Sequence, residues 1–234
     1  MQDLTTEISG MLLEQNASLV GVADLGDDNL SPVSTLPKAV IFGIALNPEI
    51  VASLRDSPSA AYVGEYTGVN GLLASLGARV AAALEDAGYR SFCVAPTTGD
   101  FDKETLSAVF PHKTAATRAG LGWVGKCALL VTREYGSAIR FATVLTDAPL
   151  IPGTPVTRSF CGECTECRTV CPADAPSGRE WYPGLARDDF WDARACYAEA
   201  QRVADAMGFA HPVCGRCIAA CPWTQRYLQR AGKY

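Results

Sequence analysis

The sequence lacks the features that would carry it to or across a membrane. Residues 1–15, MQDLTTEISGMLLEQ, contain no basic stretch, no twin arginine and no unbroken apolar run, so neither a signal peptide nor a membrane span is expected. The location read from sequence is cytoplasmic, with no membrane partner. A basic excess is missing as well. The net charge is −5, which argues against a general nucleic-acid binder. The deficit lies early in the chain: residues 1–155 hold 10 basic and 16 acidic side chains, residues 156–234 hold 10 and 9. No repeat of solenoid length occurs. The Gly-x4-Gly-Lys-Ser/Thr spacing of a phosphate-binding loop is also absent.

What is present is enough chain for one ordinary domain and a small second one, with 48% hydrophobic residues to fill a core. Ten cysteines in a reducing compartment, many at two- and three-residue gaps, point to metal rather than to disulfides.

The first 150 residues alternate strand-like and helix-like patterns. ASLVGVADL, KAVIFGIAL and YRSFCVAP are apolar runs of strand length between Gly, Asp, Asn and Pro. VNGLLASLGARVAAALEDAG puts Leu72, Leu73, Leu76, Val80, Ala83, Leu84 and Ala87 on one helical face and stops at Gly88. CALLVTREYGSAIRFATVLTD reads as two strands around the turn REYGS, hence an antiparallel hairpin. The expected fold class is mixed α/β (α+β), a mixed sheet flanked by helices. Three prolines and a glycine within Pro149–Pro155 form a stiff connector, so the domains are expected at 1–156 and 157–234.

The cysteines carry the sharpest signal. CGECTECRTVCP places Cys161, Cys164, Cys167 and Cys171 at the spacing of a two-cluster ferredoxin, in which three thiolates hold one 4Fe–4S cubane and the fourth goes to the other cluster. A partner run follows in CGRCIAACPW, with Cys214, Cys217 and Cys221 in the second, third and fourth positions. His211 falls in the first position, and Cys196 is the only other cysteine of this part of the chain. The expected sets are Cys161, Cys164, Cys167 and Cys221 on one cluster, and Cys196, Cys214, Cys217 and Cys171 on the other, with His211 a loop residue. The alternative, two structural zinc sites, usually shows separated C-x2-C pairs instead.

A second motif, PHKTAATRAGLGWVGKCALLV, reads as a short helix with His112, Lys113 and Arg118, then a turn punctuated by Gly120, Gly122 and Gly125, one tryptophan, a lysine and a strand. Glycines at that density admit close approach of a ligand or of another backbone. Cys127 at the strand entry reads either as a buried structural thiol or as one facing a cofactor.

AGLGWVGK, the YGS turn, CGECTECRTVCP, the remote Cys196 and CGRCIAACPW together resemble epoxyqueuosine reductase and its relatives, the corrinoid-dependent reductive dehalogenases. The resemblance covers roughly residues 90–225 by motif. It implies a nitroreductase-like domain holding a corrinoid (cobalamin), with a two-cluster bacterial ferredoxin-like module that reduces it. Flavin is the alternative, since nitroreductase-like folds commonly hold it. Gly122, Lys126, Cys127, Ser137 and Arg140 are the residues expected at the cofactor, and His112 is the candidate catalytic residue. The expected partners are a small-molecule or nucleoside-like substrate and an external donor such as ferredoxin or flavodoxin. An electron-transfer partner without its own substrate is the rival function.

The pattern departs from the family's in places. The family's proton-donating aspartate stands seventeen residues before the tryptophan, where this chain has Leu106; Asp100, Asp102 and Glu104 are near it in sequence. The chain ends 13 residues after Cys221, and its first part is acidic. On these grounds tRNA is expected to be an unlikely substrate.

Overall fold

The computed structural model describes residues 3–26, 35–94, 96, 101–108 and 110–233. In chain order the elements are α1 (Leu4–Glu14), β1 (Leu19–Asp24), β2 (Lys38–Ala45), α2 (Pro48–Ala52), α3 (Ala60–Asp86), β3 (Ser91–Val94), β4 (Phe101–Asp102), β5 (Ser107–Ala108), α4 (His112–Arg118), β6 (Trp123–Val124), β7 (Leu130–Val131), β8 (Ile139–Thr146), α5 (Glu166–Thr169), α6 (Ala193–Met207), α7 (Arg216–Ala220) and α8 (Pro222–Arg230). The fold is mixed α/β. Its contacts divide into two compact units. One comprises Met1–Ala45, Val69–Leu121 and Arg140–Val156; the other comprises Leu46–Gly68, Gly122–Ile139 and Thr157–Tyr234. One cut falls at the proline-rich connector, but two segments from before it are grouped with the cysteine runs.

The first unit is built on a four-stranded sheet in the order β1-β2-β8-β3. β1 runs antiparallel to β2, from Leu19↔Gly43 to Asp24↔Lys38, and β3 runs antiparallel to β8, from Ser91↔Thr146 to Val94↔Thr143. The inner strands are covered on both faces, so β2 buries Ala39 to Gly43 without alternation and β8 buries Ala142 to Thr146. α3 lays Leu73, Leu76, Val80 and Leu84 into the core. Leu72 departs from the expected face and is 58% exposed, because the buried stripe of this helix is narrower than its apolar composition. By length and composition α3 could cross a membrane, but this stripe is packed against protein.

Local chemistry sets the ends of the elements. Asp3 caps α1 by accepting from the Thr6 N–H at 3.1 Å, and Asp192 caps α6 through the Ala195 N–H at 2.9 Å. Gly208, with φ +68°, closes α6 in the left-handed conformation that glycine tolerates. The connector is docked along its own unit: the Gly153 N–H donates to Val22 O and the Val156 N–H to Thr117 O, both at 2.8 Å. Gly120 makes that docking possible. Its φ is +81°, and a Cβ there would stand 2.6 Å from Thr154 O.

The expected hairpin between CALLV and IRFATVLT does not form. β7 pairs with β6 in register Trp123↔Val131, whereas β8 lies in the four-stranded sheet. The turn that suggested a hairpin closes only the single bridge Thr132↔Gly136. The second unit gathers α2, the turn Ser53–Arg55, the β6–β7 pair and α5 to α8. Its interior includes Val124, Ala128 and Phe190, against which Trp181, Leu185 and Trp191 pack. The long segment between the cysteine runs is thereby fixed to the glycine-rich motif.

Candidate functional site

The seven cysteines of the two runs and Cys196 all lie in the second unit. The first run winds through a turn, with the Cys164 N–H donating to Cys161 O at 3.1 Å, and then enters α5, which buries Cys167. α7 carries Cys217, and Cys221 precedes α8, whose first residue is Pro222. Proline there fixes the turn and needs no partner for an N–H it lacks.

The fourth cysteine of each run is coupled electrostatically to the other run. Burial pushes the Cys221 thiol up, the backbone N–H groups of Thr224 and Trp223 draw it down, and the neighbouring Cys161 and Cys164 thiols push it up again. Burial likewise raises Cys214, against the Arg216 N–H, with Cys171 among the groups that add to the rise. α6 carries Cys196 and, one turn on, Glu199, whose carboxylate is drawn down first by Arg202 and also by Arg216, and which itself adds to the rise of Cys214. Residues three apart share a helix face, so Cys196 lies on the same side of α6 as Glu199. His211 packs its ring on Tyr66 at 5.8 Å.

Among the described residues no group of three or more His, Cys, Asp or Glu is arranged around a single ion. The thiols of a cubane do not converge on one point, because iron and sulfide lie between them. Protonated, buried thiols become ligands by releasing protons as the metal binds.

Lys126 and Cys127, read from sequence as cofactor residues, are tied to the cysteine runs. Lys126 is only 6% exposed, and its ammonium donates to Gly162 O at 2.7 Å and Cys164 O at 3.1 Å. Gly162 is also held by its N–H donating to Glu180 Oε1 at 2.7 Å. The Cys127 thiol bonds to those of Cys167 and Cys217; the first bond lowers its pKa, but the second and its full burial leave it well above the ordinary value. The same contact, together with burial, pushes Cys167 up. Gly122 has a structural task in its own hairpin, where a Cβ would lie 2.2 Å from Val131 O. Ser137 is buried against Thr224, its N–H donating to Thr224 Oγ1 at 3.1 Å.

The remaining candidates belong to the first unit. The Arg140 guanidinium donates to Asn70 Oδ1 at 2.5 Å. His112 Nδ1 meets Thr143 Oγ1 at 2.7 Å, and its ring stands edge-on to Phe110. Leu106, in the register of the family's aspartate, has φ +52°, an unusual conformation for leucine. Asp102 accepts from the N–H groups of Thr105 and Glu104, which hold its carboxyl below the usual value. It is therefore ionised at neutral pH and a poor proton donor. Asp100 lies outside the described residues. Sequence reasoning passed over Trp123 as a site residue. It is 1% exposed, and its indole N–H meets no acceptor among the described residues.

No family model matches the chain. Similar proteins are nevertheless identified at the level of sequence and fold. An epoxyqueuosine reductase from Vibrio cholerae is 29% identical over 193 residues, covering 74% of this chain and 46% of its own. A tetrachloroethene reductive dehalogenase from Dehalobacter restrictus is 30% identical over 201 residues, covering 81% and 33%. Among solved structures, the catabolic reductive dehalogenase NpRdhA (K488Q variant) matches with a TM-score of 0.67 at 20% identity, over 93% of this chain and 31% of that one. The epoxyqueuosine reductase from Streptococcus thermophilus matches at 0.63 and 17% identity, over 96% and 67%. The matched proteins are reductases, and the chain is similar to epoxyqueuosine reductases and reductive dehalogenases, as its motifs suggest. It spans less than half the length of these two curated relatives.

The expectation that tRNA is an unlikely substrate is corrected by these relatives. Epoxyqueuosine reductases are prominent among them, and one solved structure of similar fold, at 18% identity and a TM-score of 0.60, holds an epoxyqueuosine-modified tRNA stem loop. That expectation leaned on where the chain stops, which says nothing in a sequence spanning part of its relatives. It leaned also on net charge, which does not report the local charge of a binding face.

Proposed function

We propose that this chain is a cytoplasmic reductase of the corrinoid-dependent type, in which two 4Fe–4S clusters pass electrons one at a time to a corrinoid that reduces a substrate. The observation that carries the reading is the crossing of the cysteine runs: Cys221 is within electrostatic reach of Cys161 and Cys164, and Cys214 within that of Cys171. A two-cluster ferredoxin arrangement has this exchange of fourth ligands, whereas two independent zinc sites would need no exchange. Cys161, Cys164, Cys167 and Cys221 would hold one cluster, and Cys196, Cys214, Cys217 and Cys171 the other.

The corrinoid, when bound, supplies the bond-breaking chemistry, and the protein supplies binding, orientation and protons. Lys126 fixes the turn that bears Cys161 and Cys164. Arg140, braced by Asn70, offers a cation for an amide or phosphate of a cofactor tail. Thr143 orients the His112 imidazole, the group we place at proton transfer. Gly122, Cys127 and Ser137 shape the same motif from within. The test is anaerobic reconstitution followed by metal, sulfide and cob(II)alamin binding measurements. About eight iron atoms per chain are expected from two cubanes, with a shift of the corrinoid spectrum on binding. Stoichiometric zinc without acid-labile sulfide would overturn the cluster reading. Flavin binding without corrinoid affinity would move the cofactor to flavin.

One observation favours a second reading, an electron carrier without its own substrate. Leu106 stands where the aspartate would, and Asp102 is held ionised. A chain that reduces bound cob(II)alamin but turns over neither an epoxide nor an organohalide would match it.

A further inference from the structure

Among the described residues two buried side-chain N–H groups lack an acceptor: Asn70 Nδ2 and Trp123 Nε1. Asn70 is engaged through its oxygen by Arg140. Trp123 has a single polar atom, and the indole is 1% exposed, so bulk water does not serve it. Leaving such a donor unsatisfied costs on the order of 1–3 kcal/mol, and native proteins rarely tolerate it without a reason.

The surroundings of the ring narrow the choice of acceptor. Trp123 stands edge-to-face with Phe160 and with Trp223, each at 5.1 Å between centroids. Phe160 immediately precedes Cys161, and Trp223 is two residues beyond Cys221. Lys126, in the turn that follows Trp123 and β6, bonds to the carbonyls of Gly162 and Cys164. Each of these ties leads to the same proposed set of thiolates. The aromatic neighbours offer ring faces and edges, and the acceptors that such a set would add are sulfurs.

We infer that the Trp123 indole N–H donates a hydrogen bond to a sulfur, inorganic or cysteinyl, of the cluster held by Cys161, Cys164, Cys167 and Cys221. The inference rests on the cluster reading above. A donor aimed at sulfur stabilises the more negative, reduced cluster and raises its reduction potential; hydrogen bonds to the sulfurs are among the main determinants of that potential. Trp123 is then a positioning and tuning residue, acting on electron flow rather than on substrate.

The test compares the full chain with Trp123→Phe in an EPR-monitored redox titration, after iron and sulfide have been counted. Phenylalanine keeps an aromatic ring between Phe160 and Trp223 and removes the donor together with part of the indole ring. Both clusters should be retained. One potential should fall by roughly tenfold in the reduction equilibrium, about 59 mV for one electron, and the other should not move. A second measurement does not depend on that variant folding. In protein whose other tryptophans, Trp181, Trp191 and Trp223, are replaced by phenylalanine and which is labelled with 15N-indole tryptophan, pulsed EPR of the reduced chain should show a nitrogen coupling to one cluster. Two clusters with unchanged potentials, or a labelled sample with no such coupling, would overturn the inference while leaving the cluster reading intact. A chain that takes up no iron or sulfide would overturn both.

Discussion

Lys126 illustrates how one side chain changes meaning once its partners are known. In the sequence it ends a glycine-rich turn and invites a cofactor phosphate; in the fold its ammonium is buried and bonded to two carbonyls of the first cysteine run, 36 and 38 residues away. Lys126→Met keeps the stem's bulk and deletes the donors, so the Cys161–Cys164 turn loses its anchor. Losing a group that orients ligands typically lowers metal affinity about 10–100-fold. On the proposed two-cluster reading, iron and sulfide in the reconstituted variant should therefore fall toward half the wild-type content, one cluster being lost. Full occupancy with only corrinoid binding impaired would return Lys126 to the cofactor role. The cysteine pattern was visible in the sequence because its spacing is local, two and three residues along the chain. Lys126, Cys127 and Trp123 were not, because their partners come from remote segments, and periodicity carries no long-range information.

Elements were read more reliably than their pairing. β1, β2, β3, α4 and the helix containing Leu73, Leu76, Val80 and Leu84 stand where the patterns put them. The expected hairpin failed because Leu130–Val131 and Ile139–Thr146 are each good strand sequence, and a glycine-bearing turn between two strands does not say which partner each will take. The packing of α3 on the sheet was equally invisible. Gly77 lies inside that helix, where glycine costs about 1 kcal/mol relative to alanine, and a Cβ there would stand 2.6 Å from Cys93 Sγ on β3. The helix gives up propensity for a close approach. Gly77→Ala should therefore destabilise the protein by about 1–3 kcal/mol through overpacking. In a Cys93→Ala background the same change should be neutral or stabilising. A double-mutant cycle on urea unfolding would read this as a coupling of the two sites, and additive losses would show that the contact does not limit the approach.

At the scale of the whole molecule, the connector suggested a simple cut at residue 156, but the unit that holds the cysteines also counts Leu46–Gly68 and Gly122–Ile139 as its own. This has a direct consequence for a fragment that begins at residue 157. It would lack Trp123, which packs between Phe160 and Trp223. It would lack Val124 and Ala128, which pack with Phe190. The Gly136–Ser137 turn, pressed onto Thr224 so closely that a Cβ on Gly136 would collide with the Thr224 backbone, would be missing too. Losing one buried tryptophan alone costs about 3–5 kcal/mol, against a total of only about 5–15 kcal/mol for a typical domain. Clusters add binding energy to folding, but here the anchor of the first cysteine turn, Lys126, would be gone as well. The prediction is that residues 157–234, expressed alone and reconstituted anaerobically, take up well under the iron of the full chain and unfold without a cooperative transition. Co-expression with residues 1–156 should restore part of both. A fragment that holds eight irons and melts cooperatively would show that the C-terminal part is an autonomous two-cluster module and that the earlier segments only lean on it.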